Sequence, residues 1–322
     1  MAVTFRLTTT TTCRWAISPL RETTSAVRLL THPDRQGYHQ PWLRAVAPAL
    51  DELDLTPLLQ VMRFTYNPDF LMPPPDGPGP AIADELALVR RTPVARVRAE
   101  LSQCLHTQHG RRLPPPAQAL VDHPLRARAL LADTLEACWE RLIAPWWPRL
   151  RDVLAGDIAY RTGVLADSGL AAVLTDLHPS VAWDDPVLTV EVGADGHREV
   201  GEAGLVLMPS TFEWPHVGVM MDEPWLPTID YPARGIAALW APRSDPPAAL
   251  ARLLGHTRAV LLAALTEPTS TTGLARRCGL PNSTVSEHLT VLRDAGLVAT
   301  HRVGRWLRHT RTPLGTQLTG GS

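Results

Sequence analysis

One stretch near the end of the chain decides how its C-terminal part folds. Residues 271–298 read TTGLARRCGLPNSTVSEHLTVLRDAGLV. Gly279 stands where a helix end favours a left-handed residue, and Pro281 then stops the first helix from continuing. Three apolar residues recur next at the i, i+4, i+7 spacing of one buried helical stripe: Val285, Leu289 and Leu292. The stretch therefore predicts two helices that meet at a sharp turn.

The opposite face of the second predicted helix carries short polar side chains at helical spacing. These are Ser283, Ser286, Glu287 and Thr290. Short side chains let a helix lie deep in a groove, and their polar ends can hydrogen-bond to base edges there. The pattern is typical of a helix-turn-helix.

A predicted β-hairpin follows this helix. Gly296 ends the helix, Leu297–Arg302 and Arg305–Arg311 are predicted strands, and Val303-Gly304 is the predicted turn. The hairpin is rich in basic residues: His301, Arg302, Arg305, Arg308, His309 and Arg311. A basic two-stranded wing beside such a helix is suited to gripping phosphates.

The combined pattern resembles the winged-helix DNA-binding domain of the ArsR-type bacterial transcription regulators. The resemblance rests on residues 280–289, residues 292–298 and the wing motif of residues 302–305, and it covers roughly the last fifth of the chain. It implies base contacts from Asn282, Ser283, Ser286 and Glu287. It implies contacts nearer the DNA backbone from Thr284, His288 and Thr290. Four basic residues complete the predicted DNA-binding set: Arg293, Arg302, Arg305 and Arg308.

Charge is divided unevenly along the 322 residues, whose formal net charge is -1. From Leu250 onward nine arginines face three acidic residues, so this part carries +6 and the first 249 residues carry -7. Only the C-terminal part is therefore expected to meet nucleic acid. We expect an N-terminal domain over residues 1–240, a proline-rich linker over 241–249 and a winged helix-turn-helix domain over 250–322.

The N-terminal domain is predicted to be mostly helical with a small antiparallel sheet, which makes the whole chain α+β. Apolar periodicity predicts helices between residues 20 and 177, of which the first has Ser18 as its cap and Pro19 in its first turn. Pro114-Pro115-Pro116 is interpreted as a break between helices. Val3–Leu7 and several short alternating runs between residues 188 and 231 predict strands, with Asp195-Gly196 as a hairpin turn. Four segments resemble landmarks of actinobacterial ArsR-like regulators that have a large, poorly characterised N-terminal domain. They are residues 18–22, 42–43, 204–212 and 231–235.

Aromatic residues give the N-terminal domain its candidate ligand site. Nine of the ten tryptophans precede the winged-helix segment. A set of them could line a pocket for a planar apolar ligand. The candidates are Trp139, Trp146, Trp147, Phe212, Trp214 and Trp225. Ordinary core and dimer packing is the alternative interpretation of the same residues.

Metal binding is not expected. Metal-sensing ArsR-type proteins often carry a Cys-x-Cys-type site on the helix before the recognition helix, whereas residues 270–275 offer neither thiolate nor imidazole. Cys278 stands alone, and one cysteine cannot supply the three or four ligands that zinc needs. Cys104 and His106 are close in sequence but point in nearly opposite directions on a helix. We predict no metal and no other cofactor.

Catalysis is not expected either. The chain has no Gly-x-Ser-x-Gly, no Walker loop, no Gly-x-Gly-x-x-Gly after a strand and no His-Glu-x-x-His. Asp184-Asp185 precedes Pro186 and is interpreted as a turn, and Asp222-Glu223 also precedes a proline. An acid pair is the alternative interpretation of either dipeptide.

Together these features predict a one-component repressor that binds operator DNA as a homodimer, with half-sites about one or two helical turns apart. The N-terminal domain is expected to sense a small apolar ligand. Two alternatives stay open: an N-terminal enzyme domain fused to a DNA-binding domain, and an N-terminal domain that serves only as a dimer or partner surface. No signal peptide or membrane-spanning run is evident, so a cytoplasmic protein is expected.

Overall fold

The computed structural model describes residues 1–8, 11–32, 37–62, 66–202, 204–240, 248–278, 280–303 and 306–319. The side chains of residues 238, 248, 276, 303 and 306 are not described. The chain divides into two compact units, Met1–Trp240 and Ala241–Ser322. Three parts of the sequence prediction lie outside the described residues: residues 241–247 of the linker, the helix cap Gly279 and the wing residue Arg305.

Helices make up most of the N-terminal unit. Those described are α1 Pro19–Leu30, α2 Gln40–Asp51, α3 Thr56–Val61, α4 Ile82–Arg91, α5 Val94–His109, α6 Pro115–Asp122, α7 Pro124–Cys138 and α8 Trp147–Thr175. Helix α1 begins as its sequence predicts, because the Ser18 hydroxyl accepts a hydrogen bond from the Arg21 amide at 2.8 Å. Helix α6 was not predicted: its prolines occupy the first turn, where no amide hydrogen is needed, rather than breaking the chain.

Two four-stranded sheets complete this unit. The strands are β1 Ala2–Leu7, β2 Cys13–Trp15, β3 Val181–Asp184, β4 Val187–Glu191, β5 Gly196–Val200, β6 Leu205–Ser210, β7 Gly218–Met220 and β8 Thr228–Pro232. One sheet has the order β3-β4-β1-β5 and the other the order β2-β6-β8-β7.

The sheets differ from the predicted single antiparallel sheet. Strand β1 pairs antiparallel with β4 and parallel with β5, so it lies between the two arms of the hairpin predicted at Asp195-Gly196. Strand β6 likewise pairs parallel with both β2 and β8. The predictions of an all-antiparallel sheet and of this hairpin were therefore wrong. The N-terminal strands pair with partners more than 170 residues away, and local alternation does not reveal such pairing.

The C-terminal unit is a small helical domain with a hairpin. Its elements are α9 Ala248–Leu254, α10 His256–Ala264, α11 Thr271–Cys278, α12 Asn282–Asp294, β9 Val298–Val303, β10 Trp306–Arg311 and α13 Pro313–Leu318. The predicted stripe of α12 is buried, since Val285, Leu289 and Leu292 are at most 4% exposed. The helix ends at Asp294, and Gly296, two residues further on, adopts a left-handed φ of 70°. The predicted α+β class is confirmed.

Candidate functional sites

Helix α12, the recognition helix of the sequence prediction, presents a polar face. Five predicted contact residues are exposed on it: Asn282, Ser283, Ser286, Glu287 and Thr290. Two more are half-buried: Thr284 and His288. The Thr290 hydroxyl donates to the Ser286 carbonyl oxygen at 3.1 Å, which turns it back onto the helix. The side chains on this face are therefore short, polar and accessible, as contact with base edges requires.

The strand register separates the wing arginines. Arg302 pairs with Leu307 across the hairpin, whereas Arg308 pairs with His301. Side chains alternate between faces along a strand, and directly paired residues share a face. Arg302 and Arg308 therefore lie on opposite faces of the hairpin. Arg302 is exposed, and it stays a predicted phosphate contact.

Other arginines of this unit satisfy backbone carbonyls at the end of α10. Arg277 Nη1 donates to the Ala264 oxygen at 2.7 Å, and Arg311 Nε donates to the Leu265 oxygen at 2.7 Å. Arg308 Nη1 reaches the Pro268 oxygen at 3.2 Å. The last carbonyls of a helix lack hydrogen-bond donors within the helix, and these guanidinium groups supply such donors. Part of the positive charge counted in the sequence is thus structural.

His309 ties the wing to helix α11. Its Nδ1 shares a hydrogen bond of 2.9 Å with the Thr300 hydroxyl, and its Nε2 shares one of 3.0 Å with the Thr271 hydroxyl. Its backbone also exchanges two hydrogen bonds with Thr269. Burial, and then the charge of Arg293, lower the pKa of His309, so the ring is neutral near pH 7. His309, predicted above to be one of the basic wing residues, is therefore a buried structural residue.

Comparison with known families follows the same division of the chain. Residues 253–301 match the family described as a helix-turn-helix domain. The C-terminal unit is a helix-turn-helix domain. Residues 95–237 match a family of unknown function, DUF5937. No curated protein and no solved structure matches the chain.

The two matches confirm the resemblance to ArsR-type regulators with a large N-terminal domain of unknown role. A helix-turn-helix places its second helix in the major groove of DNA. The protein is accordingly a DNA-binding transcription regulator.

Helix α1 of the N-terminal unit is buried although its sequence is polar. The Glu22 carboxylate accepts hydrogen bonds from the Thr211 amide at 3.1 Å, and Arg21 forms an ion pair with Asp230. Burial raises the pKa of Glu22 to about 7, and the charge of Glu213 acts in the same direction, while hydrogen bonds from Ser210 and Thr211 oppose the shift. Segments 18–22 and 204–212, quoted above as separate landmarks, therefore meet in the interior. This pairing explains why a polar helix can lie in a core.

A cavity of about 850 Å³ lies beside this buried helix. Its wall combines residues from α1, from the segment between residues 66 and 72, and from the loops that precede β5 and flank β7. Arg21, Arg28 and Asp69 line it from the interior side. A volume of this size accommodates a small molecule. The cavity could not be predicted from the sequence, because its lining residues come from at least four segments that are far apart along the chain.

The six aromatic residues proposed for ligand binding are not among the residues that line this cavity. Phe212 is buried against Trp42, with ring centroids 4.9 Å apart. Trp139 packs edge-on against Trp147, with centroids 5.2 Å apart. The others also have neighbours elsewhere: Trp146 packs on Trp240, Trp214 on Tyr38, and Trp225 donates from Nε1 to Glu100. Core packing accounts for these contacts, except that Trp214 and Tyr38 meet at the surface.

Neither a candidate metal site nor a membrane-spanning helix is found among the described residues. In the described ranges, no group of three or more His, Cys, Asp and Glu side chains is placed to hold a metal ion. Cys104 is buried and donates from Sγ to the carbonyls of Val61 and Tyr66. None of the helices that the structure describes has both the length and the apolar character needed to cross a bilayer.

Proposed function

We propose that the protein is a one-component transcription repressor. It binds operator DNA as a homodimer through α12 and the wing, and its N-terminal domain binds a small ligand that changes operator affinity. The observation that carries the proposal is the presence, in one chain, of a helix-turn-helix domain and of a second domain with a cavity of about 850 Å³. A repressor with an inducer needs these two parts.

The ligand site is assigned to the cavity rather than to the aromatic residues. Five of those aromatics belong to the helical core or pack against it, which leaves them little surface for a ligand, and the sixth, Trp214, lies exposed against Tyr38. The cavity wall, by contrast, contains charged and polar side chains that can orient a bound molecule. The purely apolar ligand expected from the sequence therefore gives way to one with a polar group.

A ligand shifts the DNA-binding equilibrium only by its differential affinity for the two conformations of the regulator. We expect the coupling to be about 1–3 kcal/mol, which corresponds to a change in operator affinity of about five- to 150-fold.

The test measures operator affinity of the full chain by fluorescence anisotropy, with and without fractionated cell extract. The informative variant is Ala194→Trp, because Ala194 lies exposed on the cavity rim and a large side chain there should obstruct entry. Ala171→Trp is the matched control, since Ala171 is exposed on α8 and does not line the cavity. An active fraction should change operator affinity for the wild type and for Ala171→Trp, but not for Ala194→Trp.

Two results would overturn the sensor proposal. One is that no fraction changes operator affinity of the wild type. The other is that Ala194→Trp responds as strongly as the wild type, which would move the effect away from the cavity. A promoter fusion carrying the operator distinguishes repression from activation, because a repressor lowers reporter expression.

An N-terminal enzyme is the second candidate, and Asp69 is the observation that favours it. Burial, with the charges of Glu100 and Asp222, raises the pKa of this cavity residue to about 7. A carboxyl with such a pKa suits general acid–base catalysis at neutral pH. Mass spectrometry of the active extract fraction separates the candidates, since a sensor leaves its ligand unchanged while an enzyme consumes it.

A further inference from the structure

The charged side chains that line the cavity are not balanced. Arg21 is paired with Asp230, and Arg28 lies 3.3 Å from Glu213. Neither of these two carboxylates is among the lining residues, so each arginine is neutralised from behind the wall. Four other carboxylates do line the cavity: Asp69, Glu191, Asp195 and Asp222. Carboxylates therefore outnumber the basic side chains that line the space, which are Arg21, Arg28 and His216.

Asp69 is the innermost of these carboxylates. Its side chain is only 9% exposed, whereas the other three belong to exposed residues on the rim. No described residue donates a hydrogen bond to its carboxylate, in contrast to Glu100, which accepts one from the Phe70 amide at 2.7 Å. A buried carboxylate without hydrogen-bond donors is costly, and a bound cation would remove that cost.

The rest of the wall suits the body of an organic molecule. Apolar side chains line it: Val3, Met72, Val217, Val219 and Met221. Tyr66 contributes a half-buried aromatic ring, which can face a cation. Asn67 contributes a buried side-chain oxygen that has no hydrogen-bond partner among the described residues, so it can accept an N–H.

We propose that the cavity binds a protonated amine carried on a small apolar body, with Asp69 as its counter-ion and the Asn67 amide oxygen as a second acceptor. This assignment rests on the proposed sensor function and names the class of its ligand. An anionic ligand would have to compete with Asp230 and Glu213 for the two arginines and would meet four carboxylates. A metal ion would need several oxygen ligands converging on one point, whereas an ammonium group needs one counter-ion and a few acceptors.

The pH dependence of binding follows from the groups around Asp69. Burial and the charges of Glu100 and Asp222 raise its pKa to about 7, while Arg21 and Arg96 act in the opposite direction. The phenol of Tyr66 also faces this cluster and stays protonated, because burial and the same carboxylates raise its pKa. An aliphatic amine has a pKa of about 10, so it keeps its charge throughout the neutral pH range. Amine affinity should therefore rise between about pH 6 and 8, as Asp69 ionises.

The test uses three probes with the same six-carbon body: hexylammonium, hexanoate and 1-hexanol. Their binding to the full-length protein is measured by titration calorimetry near pH 8. Hexylammonium should bind at least about tenfold more tightly than either other probe, because only it gains the charge pair with Asp69. Asp69→Asn, which keeps the side-chain shape, should lose about tenfold or more of that affinity. Asp76→Asn is the matched control, since Asp76 is exposed nearby and does not line the cavity.

Hexanoate binding more tightly than hexylammonium would overturn the proposal, as would full amine affinity in Asp69→Asn. Competition by calcium at constant ionic strength would also overturn it, by assigning the site to a metal. The wild-type probe series stands by itself if the variant does not fold. Operator affinity measured with the same probes keeps the two proposals apart: amine binding at Asp69 without any change in operator affinity supports the ligand class and contradicts the sensor function.

Discussion

His309 and Thr271 share a hydrogen bond of 3.0 Å that joins the second wing strand to the first turn of helix α11. The wing is thereby fixed to the helix that precedes the recognition helix.

The first prediction concerns that contact. His309→Phe retains a ring of similar size but removes the bonds to Thr271 and Thr300, so it should destabilise the helix-turn-helix domain by about 1–3 kcal/mol. Urea unfolding measures the loss, and hydrogen exchange of the β9 and β10 amides locates it. His301→Ala, on an exposed residue of the same hairpin, should stay within about 0.5 kcal/mol of wild type. Equal effects of the two changes would contradict a structural role for His309.

The second prediction concerns phosphate contacts by the wing. Arg302→Ala should weaken binding to all DNA sequences and reduce the slope of log affinity against log salt by about one counterion. Arg111→Ala removes the same charge from an exposed position in the N-terminal unit and should leave the slope unchanged. An unaltered slope for Arg302→Ala would remove Arg302 from the interface.

The third prediction concerns base recognition by α12. Ser286→Ala and Glu287→Ala should each change base preference at particular operator positions, worth about 1–3 kcal/mol where the contact is good. Gln317→Ala, exposed on α13, is the control and should leave preference unchanged. Selection from randomised operators reads out the change. A uniform loss across all sequences would argue against direct readout by these side chains.

The helix-turn-helix domain could be predicted almost completely from its sequence, because its signals are local. The spacing of Val285, Leu289 and Leu292 predicts the buried stripe, and Gly296 predicts the helix end. His309 was misinterpreted because a histidine in a basic hairpin gives no sequence signal of burial. Its partners Thr271 and Thr300 become neighbours only through the fold.

The N-terminal unit was less predictable, because its key contacts join distant segments. Ser18 predicts the start of α1, but the charges along that helix do not predict that Glu22 is buried against Thr211. Parallel pairing of β1 with β5 likewise leaves no local pattern. Asp69 could not be chosen from the sequence, since nothing there separates it from an exposed acidic residue in a proline-rich loop.

The fourth prediction concerns the pH dependence of stability. Burial raises the pKa of Glu22 and of Glu85 to about 7 in the folded protein, above the value of about 4 in an unfolded chain. The folded state then holds protons that the unfolded chain has released, so stability falls as pH rises from about 4 and continues to fall until both carboxyls have ionised near pH 8. Buried His39, whose pKa is lowered to about 4, opposes this trend only below about pH 6.5.

The N-terminal unit should therefore unfold at a higher temperature near pH 6.5 than near pH 8, by about 1 kcal/mol of stability for each carboxyl. Tryptophan fluorescence follows this unit selectively, because nine of the ten tryptophans belong to it. Glu85→Gln should show a smaller pH dependence, whereas Glu52→Gln, on an exposed residue, should behave as wild type. A midpoint that rises toward pH 8 would contradict the assignment of protonated carboxyls.

Selection of binding sites from random double-stranded DNA by the full-length protein tests most directly whether this chain is a sequence-specific regulator. We expect one enriched motif with two related half-sites about one or two helical turns apart. The protein should bind it at least about a thousandfold more tightly than a scrambled duplex at physiological salt. Selection that enriches no motif, with equal affinity for both duplexes, would contradict this role.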